Sequence, residues 1–164
     1  DIGLHVPDYR SGERTYQLLS QVAGRAGRGP LGGRVIIQSY LPDHYAIDAA
    51  ARHDYEAMYA AEIASRRALG YPPFGRLAQL TYTGRGEQRS LAAAGRVVRQ
   101  LSEEIRARGV PGAWVRGPAP AYVPRWRGQW RWHVVLRAPD PPDVLRSFAL
   151  GEGWEVDIDP VSLA

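Results

Sequence analysis

The 164-residue sequence contains no cysteine and no lysine. Without cysteine there is no disulfide framework, no thiol nucleophile and no cysteine-ligated zinc site, and nothing points to an oxidising compartment, so a cytoplasmic protein is expected. Without lysine all 21 basic residues are arginine, and a phosphate loop of the form G-x-x-x-x-G-K-[ST] cannot exist in this stretch. Long apolar runs are also missing. The longest segment without a charged residue, Thr15 to Gly24, falls well short of the ~18 apolar residues that a membrane helix needs, and the first residues do not read as a signal peptide. The four histidines (His5, His44, His53, His133) show no paired metal spacing, and no G-x-S-x-G is present, so no metal site and no serine-hydrolase chemistry are expected. The sequence begins at Asp1 and its single methionine is Met58, which points to a piece of something longer. What is present, 45% hydrophobic and 23% charged residues, is the composition of a folded globular chain.

Charge is laid down in blocks. Residues 1–64 carry 6 arginines against 8 acids, residues 65–137 carry 14 against 3, and residues 138–164 carry 1 against 6. A basic block between two acidic ones suits a polyanion-binding surface; the alternative is a solvated arginine face.

Ser11 is the predicted N-cap of a helix through Glu13, Leu18, Leu19 and Val22, stopped by the glycines and proline of Gly24 to Pro30. Arg34 to Tyr40 reads as a strand, and the alanine-rich Ala46 to Leu69 as one or two helices ending at Gly70. Tyr71-Pro72-Pro73-Phe74-Gly75 suits neither helix nor central strand, since consecutive prolines lack N–H donors and restrict the residues before them. A boundary is placed there, giving domains 1–70 and 71–164. Beyond it come a strand (Leu77 to Thr83) and a helix (Glu87 to Arg108) with Leu91, Ala94, Val98, Leu101 and Ile105 on one face. An extended segment (Ala113 to Val123) follows, then a strand (Gln129 to Arg137) with Trp130, Trp132, Val134 and Leu136 on one side. A short helix (Pro142 to Leu150) and a last strand from Trp154 complete the order. This βαββαβ succession is that of a ferredoxin-like α+β fold.

Gln21-Val22-Ala23-Gly24-Arg25-Ala26-Gly27-Arg28 has the form Q-x-x-G-R-x-G-R. Its glycines allow close backbone approach to another surface, and arginines three apart at a helix end project the same way, with guanidiniums suited to phosphate edges. The alternative is a Gly/Arg surface loop. A second candidate is Arg125-Trp126-Arg127-Gly128-Gln129-Trp130-Arg131-Trp132: aromatics interleaved with arginines are what single-stranded nucleic acid binding uses. By alternation Trp130 and Trp132 go to the core, leaving Arg125, Trp126, Arg127 and Arg131 as DNA-binding candidates. Asp157 and Asp159 share a strand face and imitate a catalytic carboxylate pair, although neighbouring arginines or solvent satisfy such groups more simply.

Three blocks make the sequence similar to a known family. Pro7-Asp8-Tyr9-Arg10, Glu13-Arg14 and Gln21 to Arg28 resemble the approach to helicase motif VI of superfamily 2. His53-Asp54-Tyr55 and Tyr71-Pro72-Pro73-Phe74 resemble a segment joining a helicase lobe to a last domain, and Gly117-Pro118-Ala119-Pro120-Ala121, Gly128 to Trp132 and Val156 to Pro160 resemble that domain itself. Together they resemble the carboxy-terminal part of the bacterial primosomal replication-restart helicases, the PriA family (primosomal protein N′). The resemblance implies the end of a RecA-like helicase lobe, then a ferredoxin-like carboxy-terminal domain, an α/β chain overall, and a parent acting as an ATP-dependent 3′ to 5′ DNA helicase at stalled forks. It implies ATP and Mg²⁺ as cofactors of that parent, and a zinc-binding segment whose ligands are absent from this chain. Arg28 would be the arginine finger, Arg25 its assistant and Gln21 a coupler of nucleotide state to lobe closure, with Gly24 and Gly27 in the same nucleotide-facing turn. Single- and double-stranded DNA, other primosome proteins and the acidic tail of single-stranded DNA-binding protein are the implied partners, the last received by an arginine face at Arg96 and Arg99. Without a lysine-bearing phosphate loop the chain alone is expected not to hydrolyse ATP. The rival reading is a non-catalytic nucleic-acid or protein-binding module.

Overall fold

The computed structural model describes residues 2–26 and 33–164 and divides the chain into two compact units, the first ending at Ala68 and the second running from Leu69 to Ala164. Among the described residues there are six helices and one four-stranded antiparallel sheet, a mixed α/β architecture.

The first unit is helical: α1 (Ile2–His5), α2 (Ser11–Ala26), α3 (Tyr45–Arg52) and α4 (Tyr55–Leu69). Ser11 is the first residue of α2 instead of its cap. Asp8 stands just before the helix: its carboxylate accepts the Arg10 N–H at 3.0 Å and pairs with Arg14 at 2.9 Å, which places negative charge near the positive end of the helix dipole. The single predicted stretch from Ala46 to Leu69 is two helices. His53 closes α3 in the left-handed region (φ 55°), and the Asp54 carboxylate then accepts the Ala57 N–H at 2.9 Å to begin α4. Gly12 is required by packing: a Cβ there would lie 1.9 Å from the Tyr45 hydroxyl of α3. The predicted strand Arg34 to Tyr40 is absent. That segment is irregular, with Ile36 79% and Tyr40 94% exposed, since no other strand lies among the described residues of this unit and a lone β-segment has no ladder to join.

The second unit contains β1 (Arg76–Gly84), α5 (Glu87–Arg108), β2 (Trp114–Trp126), β3 (Gln129–Ala138), α6 (Pro141–Leu145) and β4 (Trp154–Ile158), with strand order β2-β3-β1-β4. One sheet face packs on α5: Ala78, Leu80, Ala94, Leu101, Val134, Leu136 and Ala138 are fully buried, with Trp132, Trp154 and Ile158 packed around them. The buried stripe of α5 is Ser90, Ala94, Val97, Leu101 and Ile105, while Leu91 is 40% exposed. Hydrophobicity alone chooses Leu91 over Ser90, so the predicted stripe misses at its first position, while Ala94, Leu101 and Ile105 are buried as expected and Val98 packs on the core. The last helix is also shorter than predicted, ending at Leu145. Phe148 and Leu150 both pack on the core, and residues two apart on a helix would face nearly opposite ways, so the chain must leave the helix to bury both.

The opposite sheet face carries Leu77, Gln79, Thr81 and His133, all buried. The end of the chain closes over it. Gln79 Nε2 lies 2.8 Å from His133 Nδ1 and donates to the Leu163 carbonyl at 3.0 Å. At the entrance to the unit, Arg137 donates to the carbonyls of Gly70 (3.1 Å), Phe74 (3.2 Å) and Gly112. One guanidinium thereby anchors the Tyr71-Pro72-Pro73-Phe74 segment, whose prolines offer no N–H of their own.

Candidate nucleic-acid interface

β2 is an edge strand, which is why it can hold Pro118, Pro120 and Pro124. Its register with β3 slips twice, between Arg116 and Ala119 and between Pro120 and Arg125. Pairing resumes with Arg125 opposite Trp130 and Trp126 opposite Gln129, and the chain reverses through Arg127 (φ 49°) and Gly128 (φ 79°). Two consecutive positive φ angles make a two-residue turn whose twist matches that of the strands; Gly128 adopts it freely and Arg127 is held there by the ladder on either side. Every residue from Tyr122 to Gln129 is exposed.

The candidate residues at this end do not all share a face. Partners across an antiparallel ladder point the same way and successive pairs alternate. Arg125 therefore lies with Trp130 on the α5 side, its guanidinium 5.9 Å from the Trp130 ring centre. Trp126, Gln129 and Arg131 lie on the other side. Arg127 sits at the apex, 5.9 Å from the ring centre of Trp126, which is 58% exposed. Trp132 packs on the core. No acidic residue occurs between Glu104 and Asp140. Of the acids that follow, Glu155 and Asp157 lie on β4, the opposite edge, Asp143 pairs with Arg108, and Asp159 is held by Arg76 at 2.7 Å, a neighbouring arginine satisfying it. Sequence reasoning missed Tyr122, 58% exposed in the register slip beside the turn; the prolines at 120 and 124 that bracket it were its only signal.

Arg96 and Arg99 are both exposed on α5, with no ion-pair partner among the described residues. Only Arg96 borders a cleft of about 280 Å³ formed with Tyr82, Val97, Phe148, Leu150 and Trp154.

In the first unit, Gln21 and Arg25 are exposed one turn apart near the end of α2 and Gly24 faces open space; Gly27 and Arg28 lie outside the described residues. The start of the same helix is tied down. Glu13 accepts from Arg10 (2.9 Å) and Arg66 (2.8 Å), Arg66 also donates to Glu62 (2.7 Å), and the Tyr45 hydroxyl donates to Glu62. Hydrogen bonds from Arg10 and then Arg66, opposed by burial, hold the Glu13 carboxyl at about 2, well below its ordinary 4.5. Burial, followed by the bond to Glu62, pushes the Tyr45 hydroxyl up, so it stays a donor. Among the described residues no group of three His, Asp or Glu side chains is placed to hold a metal ion. His44 caps α3 by accepting the Ala46 N–H at 3.2 Å, and His53 and His133 have the structural tasks described above.

Residues 67–161 match the profile of the Primosomal protein N C-terminal domain. The chain belongs to the PriA family. It is 40% identical over 172 residues to the replication restart protein PriA of Treponema pallidum, covering 99% of this chain and 26% of that protein. It is 35% identical over 167 residues to the Synechocystis protein of the same name, covering 98% of this chain and 20% of that one. The Bacillus subtilis protein is 38% identical over 137 residues, with 84% and 16% covered. The chain thus spans about a quarter or less of the length of these PriA relatives. The PriA profile begins at the end of α4 and runs through β4, so it takes in the Arg137 anchor, the α5 arginines and the hairpin end.

Proposed function

We propose that this chain is the carboxy-terminal part of an ATP-dependent 3′ to 5′ DNA helicase that restarts replication at stalled forks in the cytoplasm. The observation that carries the reading is the membership just described together with the sequence Q-x-x-G-R-x-G-R, whose first six residues form the last turns of α2. The first unit would be the end of a RecA-like lobe, residues 1–70. The second, residues 71–164, would be a ferredoxin-like domain, a reading supported by its βαββαβ succession and strand order β2-β3-β1-β4.

Gln21 and Arg25 suit a nucleotide-facing role, being exposed on one face of α2 with no hydrogen-bond or ion-pair partner among the described residues. Arg25 would hold a phosphate oxygen, Gln21 would report the nucleotide state to the lobe, and Arg28 would offset charge developing on the transferred phosphoryl group. Bound ATP with Mg²⁺ supplies the phosphoanhydride whose hydrolysis drives movement. The zinc-binding segment expected of the parent has no ligands here, since the sequence contains no cysteine. The second unit would bind DNA through Arg125, Trp126, Arg127 and Arg131. Arg96 and Arg99 would receive the acidic tail of single-stranded DNA-binding protein, an apolar side chain of that tail entering the cleft beside Arg96.

DNA-stimulated ATP hydrolysis by the complete gene product tests the reading. Arg28→Ala is expected to lower turnover by ~10³-fold or more with DNA affinity largely kept. Unchanged turnover would remove the finger assignment.

A further inference from the structure

The two arginine-bearing faces of the hairpin end carry an inference about which DNA the second unit reads, and it rests on the reading that this unit binds DNA. A single strand laid along one face of a sheet needs successive aromatic rings on that face. Here Trp126 and Trp130 point to opposite faces, because Trp126 pairs with Gln129 and Trp130 with Arg125 in adjacent rungs of the ladder. Trp130 is partly covered, with Arg125 over its ring. Trp126, beside the apex, has Arg127 near its ring but is 58% exposed, so it is the more accessible ring at the tip. Each face nevertheless keeps its own cation, Arg125 on one and Arg131 on the other, while Arg127 stands at the apex. The turn is short and closed by two ladder pairs, Arg125 with Trp130 and Trp126 with Gln129. The acid-free run from Ile105 to Pro139 leaves no carboxylate within the hairpin to repel phosphate.

We propose that the end of the β2–β3 hairpin reads the junction where a DNA duplex opens, with Trp126 stacked on the last base pair and Arg125 and Arg131 each taking a phosphate of a different separated strand. A tip with one open aromatic and cations on both sides matches two diverging strands. A single strand would engage one face and leave the other arginine idle, and a duplex without open ends would offer Trp126 no unstacked base pair.

The test uses the 164-residue chain and three labelled DNAs of equal nucleotide count: a single strand, a duplex closed at both ends by hairpin loops, and a fork with 2-aminopurine at its last base pair. The fork is expected to bind ~10-fold tighter than either other DNA, with the 2-aminopurine fluorescence changing on binding. Trp126→Ala is expected to abolish both the preference and the fluorescence change, and Trp126→Phe, which keeps a stacking ring, to retain most of both. Arg125→Ala and Arg131→Ala are each expected to weaken the fork more than the single strand. Equal affinity for fork and single strand, with Trp126→Ala weakening both alike, would overturn the junction assignment and leave the DNA-binding reading standing. Failure of the folded chain to bind any of the three DNAs would overturn both.

Discussion

The two units are stabilised by different physics. The second encloses a core in which seven residues from β1, α5 and β3 are wholly removed from water, each larger apolar side chain contributing ~1.5–3 kcal/mol. The first has a small core of Tyr16, Ala46, Ala49, Ala50 and Met58, and beside it a chain of charges and hydroxyls running from Arg10 through Glu13, Arg66 and Glu62 to Tyr45. Alanines bury little area, so this unit leans on directional bonds. Directional bonds orient helices well but return little net stability, because each replaces a bond to water. The first unit also leaves Leu18, Val22, Ile36, Tyr55 and Tyr59 exposed, where the second keeps its largest exposed aromatics near the hairpin end.

The strongest way to break the comparison is to separate the units. A chain of residues 69–164, which keeps the Gly70 carbonyl for Arg137, is expected to unfold cooperatively on heating, followed by circular dichroism. Residues 1–68 alone are expected to lack that transition. A cooperative melt of the shorter piece would show that the charged chain suffices as a core.

Next in size is a matched pair of truncations. Leu101→Ala removes a fully buried side chain and is expected to cost ~2–5 kcal/mol in denaturant unfolding. Leu18→Ala, at a residue 60% exposed, should cost only a few tenths of a kcal/mol. Comparable losses would mean that Leu18 is covered in the folded chain.

Smaller effects separate the units by pH. Glu13 has its pKa lowered in the folded state, so its contribution is complete above its ordinary value of 4.5 and is lost as pH falls from there through about 2. His133 is lowered by burial and then by Arg131, against the hydrogen bond it makes to the Leu163 backbone. Its neutral form is favoured by folding, so its contribution is complete above the ordinary 6.5 and is lost as pH falls below that value. Thermal midpoints of the 69–164 chain at about pH 7.5 and about pH 5.5 should therefore differ, and His133→Asn should shrink the difference. A difference unchanged in that variant would place the titrating group elsewhere.

Much of this was legible beforehand because it is local. The Tyr71-Pro72-Pro73 break, β1, the alternation of β3 and the positions of Gln21 and Arg25 near a helix end follow from period, proline and glycine. The errors share a cause. Arg34 to Tyr40 has the composition of a strand but no partner to pair with among the described residues; Ser90 looks solvent-facing until Gly84 is packed against it; and Phe148 and Leu150 end α6 early because both must reach the core. Arg137 gave no advance signal, since its three carbonyl partners lie 67, 63 and 25 residues away.

The sequence by itself determined the absence of a phosphate loop and of cysteine chemistry, the confinement of positive charge to arginine, the three family blocks and the succession of elements, all properties of composition and near neighbours. Only the tertiary structure decided which edge of the sheet is basic and which acidic, and that Trp126 and Trp130 point to opposite faces of one hairpin. The physical reason is that a face exists only once register is set. Register depends on the slips in β2 and the two-residue turn at Arg127 and Gly128, and each residue added to one strand reverses the face of every side chain beyond it.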